Sequence, residues 1–393
     1  MSSADSDSPL LARLRARIER EGPLPVDEYM RSCLADPEHG YLQRQAMIGA
    51  DGDFVTAPEI SQVFGELIGL WAGVVWRNMG APIPVNLVEL GPGRGTLLRD
   101  AVRAARSIPD FLAAASVHLI ERSAPLREAQ RQTLASLSCA ADRRRPGRDC
   151  AVTWHEAIGT VPKGATIVIA NEFLDALPIR QLVWEGGKWH ERVVDVEGGG
   201  GLRFAVGPVT VGPVTVGPVT VGPVTVGPMK VGSVTQVSTE ARLPGAVLEL
   251  RDGEEDLLAA LARREAPLVA LFIDYGPMHW ATGDTLQAVH RHAWVDPLSR
   301  PGRADLTAHV AFARLADKAR SAGLSVDGPI TQAEFLGRLG VAERAAQLMA
   351  ANPREAGAIE AGVQRLISPT GMGGLCKVLA VRSRALAEVV PFA

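Results

Sequence analysis

The sequence has few cysteines, and they are widely spaced. Its 393 residues include four, at positions 33, 139, 150 and 376, which is too few for a disulfide framework. No two of them form the Cys-x-x-Cys spacing of a structural zinc site. Cys139 and Cys150 bracket a basic segment and could pair. Free thiols in a reducing compartment are the better interpretation for all four.

The sequence also lacks an excess of either charge and a long apolar run. With 41 Lys+Arg against 44 Asp+Glu, the formal net charge is −3. A protein held to nucleic acid by counterion release is strongly basic, so we expect no nucleic-acid partner. The longest apolar run, Leu67–Trp76, falls well short of the ~20 residues of a membrane span. Stable membrane insertion is therefore not expected.

The N-terminus carries a helical pattern of apolar residues with arginines between them. The apolar positions are Leu10, Leu11, Leu14 and Ile18. They predict a first helix that ends at Gly22-Pro23. A basic amphipathic N-terminus is also typical of mitochondrial presequences, but those are poor in the acidic residues found here. We expect a cytoplasmic protein, with the mitochondrial matrix as the alternative if this helix is a presequence.

Short apolar segments alternate with helical segments in most of the chain. Residues 1–84 are predicted to form a helical region, and 85–393 the core. The predicted strands are Val85–Leu90, Val117–Ile120, Ala151–Trp154, Ala165–Ala170 and Leu268–Ile273, with Leu375–Val381 as a closing strand. Strands separated by helices predict a doubly wound α/β fold with a mostly parallel sheet.

The region of about 181–240 is predicted to be an insertion into this sheet. Gln181–Val196 has the pattern of a hairpin that turns at Gly186-Gly187. The pentad Gly-Pro-Val-Thr-Val then occurs four times in succession from Gly207 to Val226. A proline in every pentad excludes a long helix and blocks pairing inside a sheet, and collagen needs glycine at every third position. We expect an extended, water-exposed loop enlarged by repeat expansion.

A second insertion, about 276–311, is rich in turn residues, histidine and tryptophan. Its aromatic residues are His279, Trp280, His290, His292 and Trp294. We expect it to form a cap over the carboxyl edge of the sheet. No two of its histidines have metal-ligand spacing with a third ligand, so no metal site is predicted.

A glycine-rich turn follows the first predicted strand of the core. The segment runs from Glu89 through Gly91, Gly93 and Gly95 to Thr96. Glycines let the backbone approach a ligand closely, and ligands bind at such strand ends in open α/β sheets. The spacing is GxGxG instead of the GxGxxG of dinucleotide-binding loops. The turn and Thr96 are therefore predicted to bind a cofactor.

Two acidic residues decide which cofactor fits this turn. Glu89 precedes the first glycine, where a carboxylate disfavours phosphate but suits an ammonium or a positive sulfur. Glu121, at the end of the second predicted strand, is placed to accept hydrogen bonds from two ribose hydroxyls. Together they favour S-adenosylmethionine (SAM) over NAD.

Several longer motifs carry a resemblance to a known family. They are Asp36–Tyr41, Gly52–Ser61, Phe64–Glu66, the glycine turn, Asn171–Pro178, Asp274–Gly276 and Asp305–Val310. On these motifs the sequence resembles the MidA-like family of SAM-dependent methyltransferases over nearly its whole length. That family includes the mitochondrial arginine methyltransferase that assists assembly of respiratory complex I.

The resemblance implies a class I methyltransferase fold, SAM as methyl donor and a protein substrate methylated on arginine, with a complex I subunit as one candidate. The sequence departs from the family in three places. Leu42 replaces a usual second aromatic residue, Ala311 replaces a common aspartate, and the pentad tract is not a family feature. The loss of an acid at position 311 could weaken substrate positioning or merely remove a surface hydrogen bond.

The segment after the fourth predicted strand supplies the candidate catalytic acids. We assign Glu172 to orient the substrate guanidinium and Asp175 to support it, because carboxylates can bind guanidinium nitrogens and draw positive charge toward them. The alternative is that both residues cap a turn or a helix N-terminus. Asn171 is assigned to the cofactor.

The segment of Asp53, Thr56 and Glu59 resembles the family's cofactor and substrate entrance loop. Two alternatives to the enzyme remain open: a SAM-binding assembly or scaffold module without efficient catalysis, and an NAD-dependent oxidoreductase. A homodimer is compatible with the sequence.

Overall fold

The computed structural model describes residues 8–43, 53, 55–135, 152–209, 212–216, 219–224, 243–279 and 283–392. Outside these ranges lie Trp280, Cys139, Cys150, Ala151, most of the loop 47–54 and parts of the pentad tract. Within them, no helix has both the length and the apolar character needed to cross a membrane. Cys33 and Cys376 are buried free thiols.

The helices surround the sheet and form most of the N-terminal region. In chain order they are α1 Pro9–Glu21, α2 Val26–Ala35, α3 Ala57–Ile60, α4 Gln62–Asn78, α5 Thr96–Ala105, α6 Pro109–Ala114, α7 Ala124–Leu134, α8 Asp252–Ala262, α9 Phe312–Ser321, α10 Gln332–Arg338, α11 Val341–Ala351, α12 Ala356–Ile367 and α13 Met372–Leu375. Short 3₁₀ turns lie at Tyr41–Gln43 and Ile158–Thr160.

The strands form a large central sheet and smaller sheets around it. In chain order they are β1 Leu24–Pro25, β2 Val85–Leu90, β3 Ala115–Ile120, β4 Val152–His155, β5 Ala165–Asn171, β6 Arg180–Glu185, β7 Lys188–Val196, β8 Leu202–Val209, β9 Gly212–Val216, β10 Val219–Val224, β11 Val247–Leu250, β12 Leu268–Tyr275, β13 Gln287–His290, β14 Ala293–Val295, β15 Asp305–Thr307, β16 Ser325–Thr331 and β17 Cys376–Arg382.

The central sheet has the order β16-β17-β12-β5-β2-β3-β4. The five strands from β12 to β4 are parallel, and β17 and β16 run antiparallel to β12 and to each other. Every residue of β2 and β5 is buried, which explains why their sequences are mostly apolar, with a few buried polar residues such as Asn86 and Glu89. The prediction of a doubly wound, mostly parallel α/β fold is confirmed.

Each face of the central sheet is covered by helices. Helices α4, α5 and α10–α12 cover one face, and α8 and α9 cover the other. The contact between α4 and α5 requires glycine: a Cβ atom at Gly69 would lie 2.2 Å from the carbonyl oxygen of Ala101. This close packing fixes α5, whose first turn begins at the end of the glycine-rich segment.

A third core joins the N-terminus to the insertions. Helix α1 buries the four apolar positions predicted from its spacing, and Gly22, at φ +90°, follows its last residue. The predicted hairpin is formed by β6 and β7, with Gly186 and Gly187 in the left-handed region at its turn. Residues of α1, α2, β7 and the 286–308 region share this core.

The pentad tract corrects one expectation. It was expected to be a loop, but β9 and β10 pair as an antiparallel ribbon, with Pro213 opposite Pro223. Proline is tolerated here because, among the described residues, each strand of this two-stranded ribbon is paired on one side only, and the register shifts between Val221 and Pro223. Sequence reasoning excluded a central strand and overlooked an edge ribbon.

The cap region forms a separate three-stranded sheet of order β14-β13-β15. Strands β13 and β14 are joined by a two-residue turn at Arg291 and His292, both at positive φ (51° and 60°). Two consecutive residues at positive φ are typical of a type I′ turn, whose twist matches that of the flanking strands. The position of Asp305 in β15 brings an acidic residue into this sheet.

The Ala311 departure affects the start of α9. Ala311 is the N-cap residue of α9 and makes no side-chain capping bond. An aspartate there could accept a hydrogen bond from an N–H of the first turn. Ala311 is not among the residues that line the cavity described below.

We predict that Ala311→Asp stabilises the protein by about 1 kcal/mol, because it supplies the missing cap. Thermal denaturation measures the effect, and Ala311→Val, which lacks an oxygen, is the control. Methyl transfer should be unchanged. A large change in activity with no gain in melting temperature would instead support a role for position 311 in substrate positioning.

Candidate active site

A cavity of about 1840 Å³, measured between the described residues, lies at the carboxyl ends of the parallel strands. It lies where open α/β sheets bind ligands. Of the predicted site residues, those that line it are Asp53, Gly91, Gly93, Glu121, Glu172 and Asp175. Those that do not line it are Thr56, Glu59, Glu89, Gly95, Thr96 and Asn171.

The glycine turn connects β2 to α5 through three left-handed residues. Gly91, Gly93 and Gly95 have φ of 61°, 52° and 83°. A Cβ atom at Gly91 would lie 2.8 Å from Cδ2 of Phe173, so this position also lacks space for a side chain. The turn therefore presents bare backbone to the cavity.

Glu121 is held at the end of β3 by two donors. The backbone N–H of Ser123 donates to its Oε1 at 2.7 Å, and the Gln130 amide donates to its Oε2 at 3.2 Å. Burial raises the pKa of Glu121, and these hydrogen bonds oppose that rise. Because the group faces the cavity, it is available to ligand hydroxyls.

Gln130 is a site residue that the sequence reasoning missed. Its amide nitrogen also donates to the carbonyl oxygen of Gly93 at 2.8 Å, and its amide oxygen accepts from the Trp154 indole at 2.8 Å. It thus links the glycine turn, Glu121 and β4. A fully buried glutamine between Leu126 and Leu134 on the apolar stripe of α7 was the available signal.

Glu89 and Asn171 lie on the sheet face that carries Leu87 and Ile169, covered by α4 and α5. Both are buried, and Oε2 of Glu89 and Oδ1 of Asn171 have no hydrogen-bond partner among the described residues. Burial raises the pKa of Glu89 to about 8. Two orphaned acceptors beneath the glycine turn fit a ligand that brings hydrogen-bond donors or positive charge.

The entrance segment is attached to the sheet edge at two points. Oε1 of Glu172 accepts a hydrogen bond from the Ala57 backbone N–H at 3.0 Å, at the start of α3. The hydroxyl of Thr96 donates to Oε1 of Glu59. Glu59 and Thr96 therefore join the entrance segment to the start of α5, and Thr56 precedes this attachment.

Asp53 attaches the same segment to the cap. Its Oδ1 accepts from the Arg291 N–H at 2.6 Å and lies 3.4 Å from Nδ1 of His290. Its carbonyl oxygen accepts from the His292 N–H at 3.1 Å. These bonds give hydrogen-bond partners to the backbone N–H groups of the turn between β13 and β14, and they hold the cap sheet beside the cavity.

A cluster of carboxyl groups faces the cavity beneath the cap, formed by Asp53, Glu172, Asp175 and Asp305. Burial, opposed by the Ala57 N–H and reinforced by Asp175, raises the pKa of Glu172 to about 7. Burial raises the pKa of Asp175 to about 6, although Arg251 opposes this. The pKa of Asp305 is raised well above its usual range by burial and then by the other three carboxyls.

We call these four residues the acid cluster. Asp305 was predicted only as part of a motif and was not assigned to the site. No local signal marks it, because its proximity to Glu172 and Asp175 depends on the cap folding back over the sheet. A cationic ligand would stabilise the ionised carboxylates and so oppose the burial, and for Glu172 and Asp305 the repulsion, that raises these pKa values.

Asp274, at the end of β12, supports the turn that carries the two candidate catalytic acids. Its Oδ2 accepts from the backbone N–H groups of Phe173, Leu174 and Asp175 at 2.8–3.2 Å, and its Oδ1 from that of Tyr275. Glu172 is held at φ +49° in this turn. The alternative interpretation of Glu172 and Asp175 was that they cap this turn. Asp274 performs part of that role, because it accepts the hydrogen bonds of the turn's backbone N–H groups.

Within the described residues, no group of three or more His, Cys, Asp or Glu side chains is arranged to hold a metal ion.

Leu42 lines the cavity, and its carbonyl oxygen accepts a hydrogen bond from the Ser123 hydroxyl at 2.6 Å. This contact uses the backbone, so it does not require the aromatic side chain that the family usually has there.

Comparisons with known proteins show which proteins this chain is similar to. A family model described as "Putative S-adenosyl-L-methionine-dependent methyltransferase" matches residues 67–330. A protein arginine methyltransferase NDUFAF7 homolog of Drosophila melanogaster is 37% identical, covering 98% of this chain and 88% of its own. The NDUFAF7 protein of Homo sapiens is 32% identical, covering 93% of this chain and 81% of its own.

A solved structure extends the comparison to a bound ligand. A protein from Burkholderia thailandensis, crystallised with S-adenosyl-homocysteine, superposes with a TM-score of 0.76 at 27% identity. The match covers 97% of this chain and 93% of that chain. The predicted class I methyltransferase fold is confirmed.

The expectation of a cytoplasmic protein is wrong. The curated relatives in Drosophila melanogaster, Xenopus tropicalis and Homo sapiens are all named as mitochondrial proteins. The argument for the cytoplasm depended on Asp5 and Asp7, which lie outside the described residues, and on Glu19 and Glu21 of α1. That helix is packed into the third core, so its composition reflects folding and gives no information about targeting.

We predict that Glu89→Gln reduces the pH dependence of stability. Between its usual pKa near 4.5 and about 8, Glu89 binds a proton more tightly in the folded protein than in the unfolded one. Its contribution to stability therefore falls as pH rises through that window. Between about pH 6 and about pH 8, the free energy of unfolding of the ligand-free wild type should fall by about 1–2 kcal/mol, whereas that of the variant should not show this fall.

Melting temperatures of both proteins across this range provide the measurement. Glu265→Gln, at an exposed position, is the matched control and should follow the wild type. Parallel curves for wild type and Glu89→Gln would show that Glu89 is not an uncompensated buried acid.

Proposed function

The chain belongs to the family of SAM-dependent methyltransferases whose model matches residues 67–330, SAM is its cofactor, and on that basis we propose that it methylates arginine side chains of a protein. The observation that carries the proposal is the acid cluster. A guanidinium is a planar cation with five N–H donors, and carboxylates are its natural partners. A subunit of respiratory complex I, implied by the family resemblance, is the first substrate to test.

The cavity has room for two ligands. Typical small-molecule sites occupy about 300–1,000 Å³, less than the 1840 Å³ measured here. We assign the cofactor to the glycine turn and Glu121, with Glu89 and Asn171 beneath the turn. The substrate arginine is assigned to the acid cluster, beside the cap.

The cofactor supplies, when bound, a methyl group on a positively charged sulfur that is a good leaving group. Arginine is a poor nucleophile because its guanidinium stays protonated. We propose that Glu172 and Asp305 accept hydrogen bonds from guanidinium nitrogens and draw positive charge toward them. The remaining nitrogen then regains lone-pair density.

The methyl transfer requires one proton acceptor. A bound cofactor would supply the methyl group and keep the electron pair of the carbon–sulfur bond on its sulfur, so the substrate nitrogen that gains the methyl must lose one N–H proton. Asp175 and Glu172, with pKa values raised to about 6 and about 7, are matched to accept it near neutral pH. Asp53 is proposed to hold the cap in place while this occurs.

We predict that Glu172→Gln and Asp305→Asn each lower kcat/KM for an arginine peptide by about 100-fold or more, because each removes a charge that binds the guanidinium. Glutamine keeps an oxygen that can accept from the Ala57 N–H, so Glu172→Gln separates charge from loop attachment. Transfer of a radioactive methyl group measures turnover, and calorimetry with S-adenosylhomocysteine measures cofactor binding.

Cofactor affinity should stay within a few-fold of wild type in both variants. Asp317→Asn, on the exposed side of α9, is the control for loss of a surface carboxylate. Undiminished turnover in Glu172→Gln would exclude its proposed role. If the wild type binds S-adenosylhomocysteine but transfers no label to arginine, the scaffold alternative is supported.

A further inference from the structure

Trp294 occupies an unusual position for a large apolar side chain. It is 70% exposed, yet it lines the same cavity as the acid cluster. Leu375 is a second exposed apolar residue of this cavity, at 56% exposure. An exposed tryptophan is costly to keep in water, and tryptophan is enriched among residues that dominate protein interfaces.

The register of the cap sheet connects Trp294 to the acid cluster. Val289 of β13 pairs with Trp294 of β14 on one side and with Asp305 of β15 on the other. Residues directly opposite one another in neighbouring strands share a face, and all three line the cavity. Because neighbouring strands lie about 4.8 Å apart, the row spans roughly 10 Å from acid to indole.

The backbone that carries Trp294 follows an anchored turn. Trp294 lies two residues after the turn at Arg291 and His292, which Asp53 fixes through the hydrogen bonds described above. Asp53 itself belongs to the acid cluster. An aromatic side chain has only two rotatable bonds and loses little conformational entropy when a partner binds it, which makes it an effective anchor.

We infer that Trp294 is a specificity-determining residue that binds an apolar side chain next to the target arginine of the substrate. This inference rests on the proposed function, because it places the guanidinium at Asp305. A guanidinium at one end of the row puts the substrate backbone near its middle and a flanking side chain at the indole. The preferred substrate is then an arginine flanked by apolar residues, in a segment that can enter the cavity.

Two blocked peptides test this directly: Gly-Leu-Arg-Leu-Gly and Gly-Gly-Arg-Gly-Gly. The wild type should methylate the leucine-flanked peptide with a KM about 10-fold lower or more, at similar kcat. Trp294→Ala should raise the KM of that peptide toward the KM of the glycine-flanked one, leave kcat unchanged and bind S-adenosylhomocysteine normally. Trp294→Phe should retain part of the preference.

Ile83→Ala is the matched control, because Ile83 is 79% exposed and lies before β2, outside the residues that line the cavity. It should keep the wild-type preference. If the wild type methylates both peptides equally, or Trp294→Ala keeps the preference, this inference is overturned while arginine methylation stands. If the wild type methylates neither peptide, nor any other arginine peptide, the proposed function fails and this inference fails with it.

Discussion

The burial of carboxyl groups at one edge of the parallel sheet is the constraint on which the rest of the site depends. Each must be neutralised by a proton, by donors or by a cation. Asp274 is satisfied by four backbone N–H groups, and Glu121 by Ser123 and Gln130. Burial raises the pKa of Asp274 all the same, and it raises the pKa values of Glu172, Asp175 and Asp305, which line the cavity where a ligand can reach them. A site built this way favours a cationic ligand.

Carboxyl groups in and beside the site also attach separate segments of the fold to one another. Glu172 accepts from the start of α3, Glu59 accepts from the start of α5, and Asp53 accepts from the cap turn. The entrance segment is therefore attached to the sheet, to the glycine turn and to the cap by residues that also belong to the site or lie next to it. Cofactor and substrate ends of the cavity are linked through these attachments.

Local patterns were sufficient for β2, β3, β5, β12 and β17 and for the glycine turn, because β2 and β5 are buried along their whole length and parallel strands end at a common edge. They missed β16, at the edge of the central sheet, and the strands of the cap. They were insufficient for Asp305, Gln130 and Trp294, whose positions depend on contacts between segments far apart in the chain. The pentad tract was misread because an edge ribbon tolerates proline. The cellular compartment was predicted wrongly because the composition of α1 reflects its packing in the third core.

The most direct test of the account is to count protons when an arginine peptide binds. Calorimetric titration of the peptide into protein saturated with S-adenosylhomocysteine, near pH 6.5 and in buffers of different ionisation enthalpy, gives that number. The account predicts net proton release, because a guanidinium lowers the pKa of the clustered carboxyls, and no release with a peptide in which neutral citrulline replaces arginine. Equal binding of both peptides, or arginine binding without proton release, would contradict it.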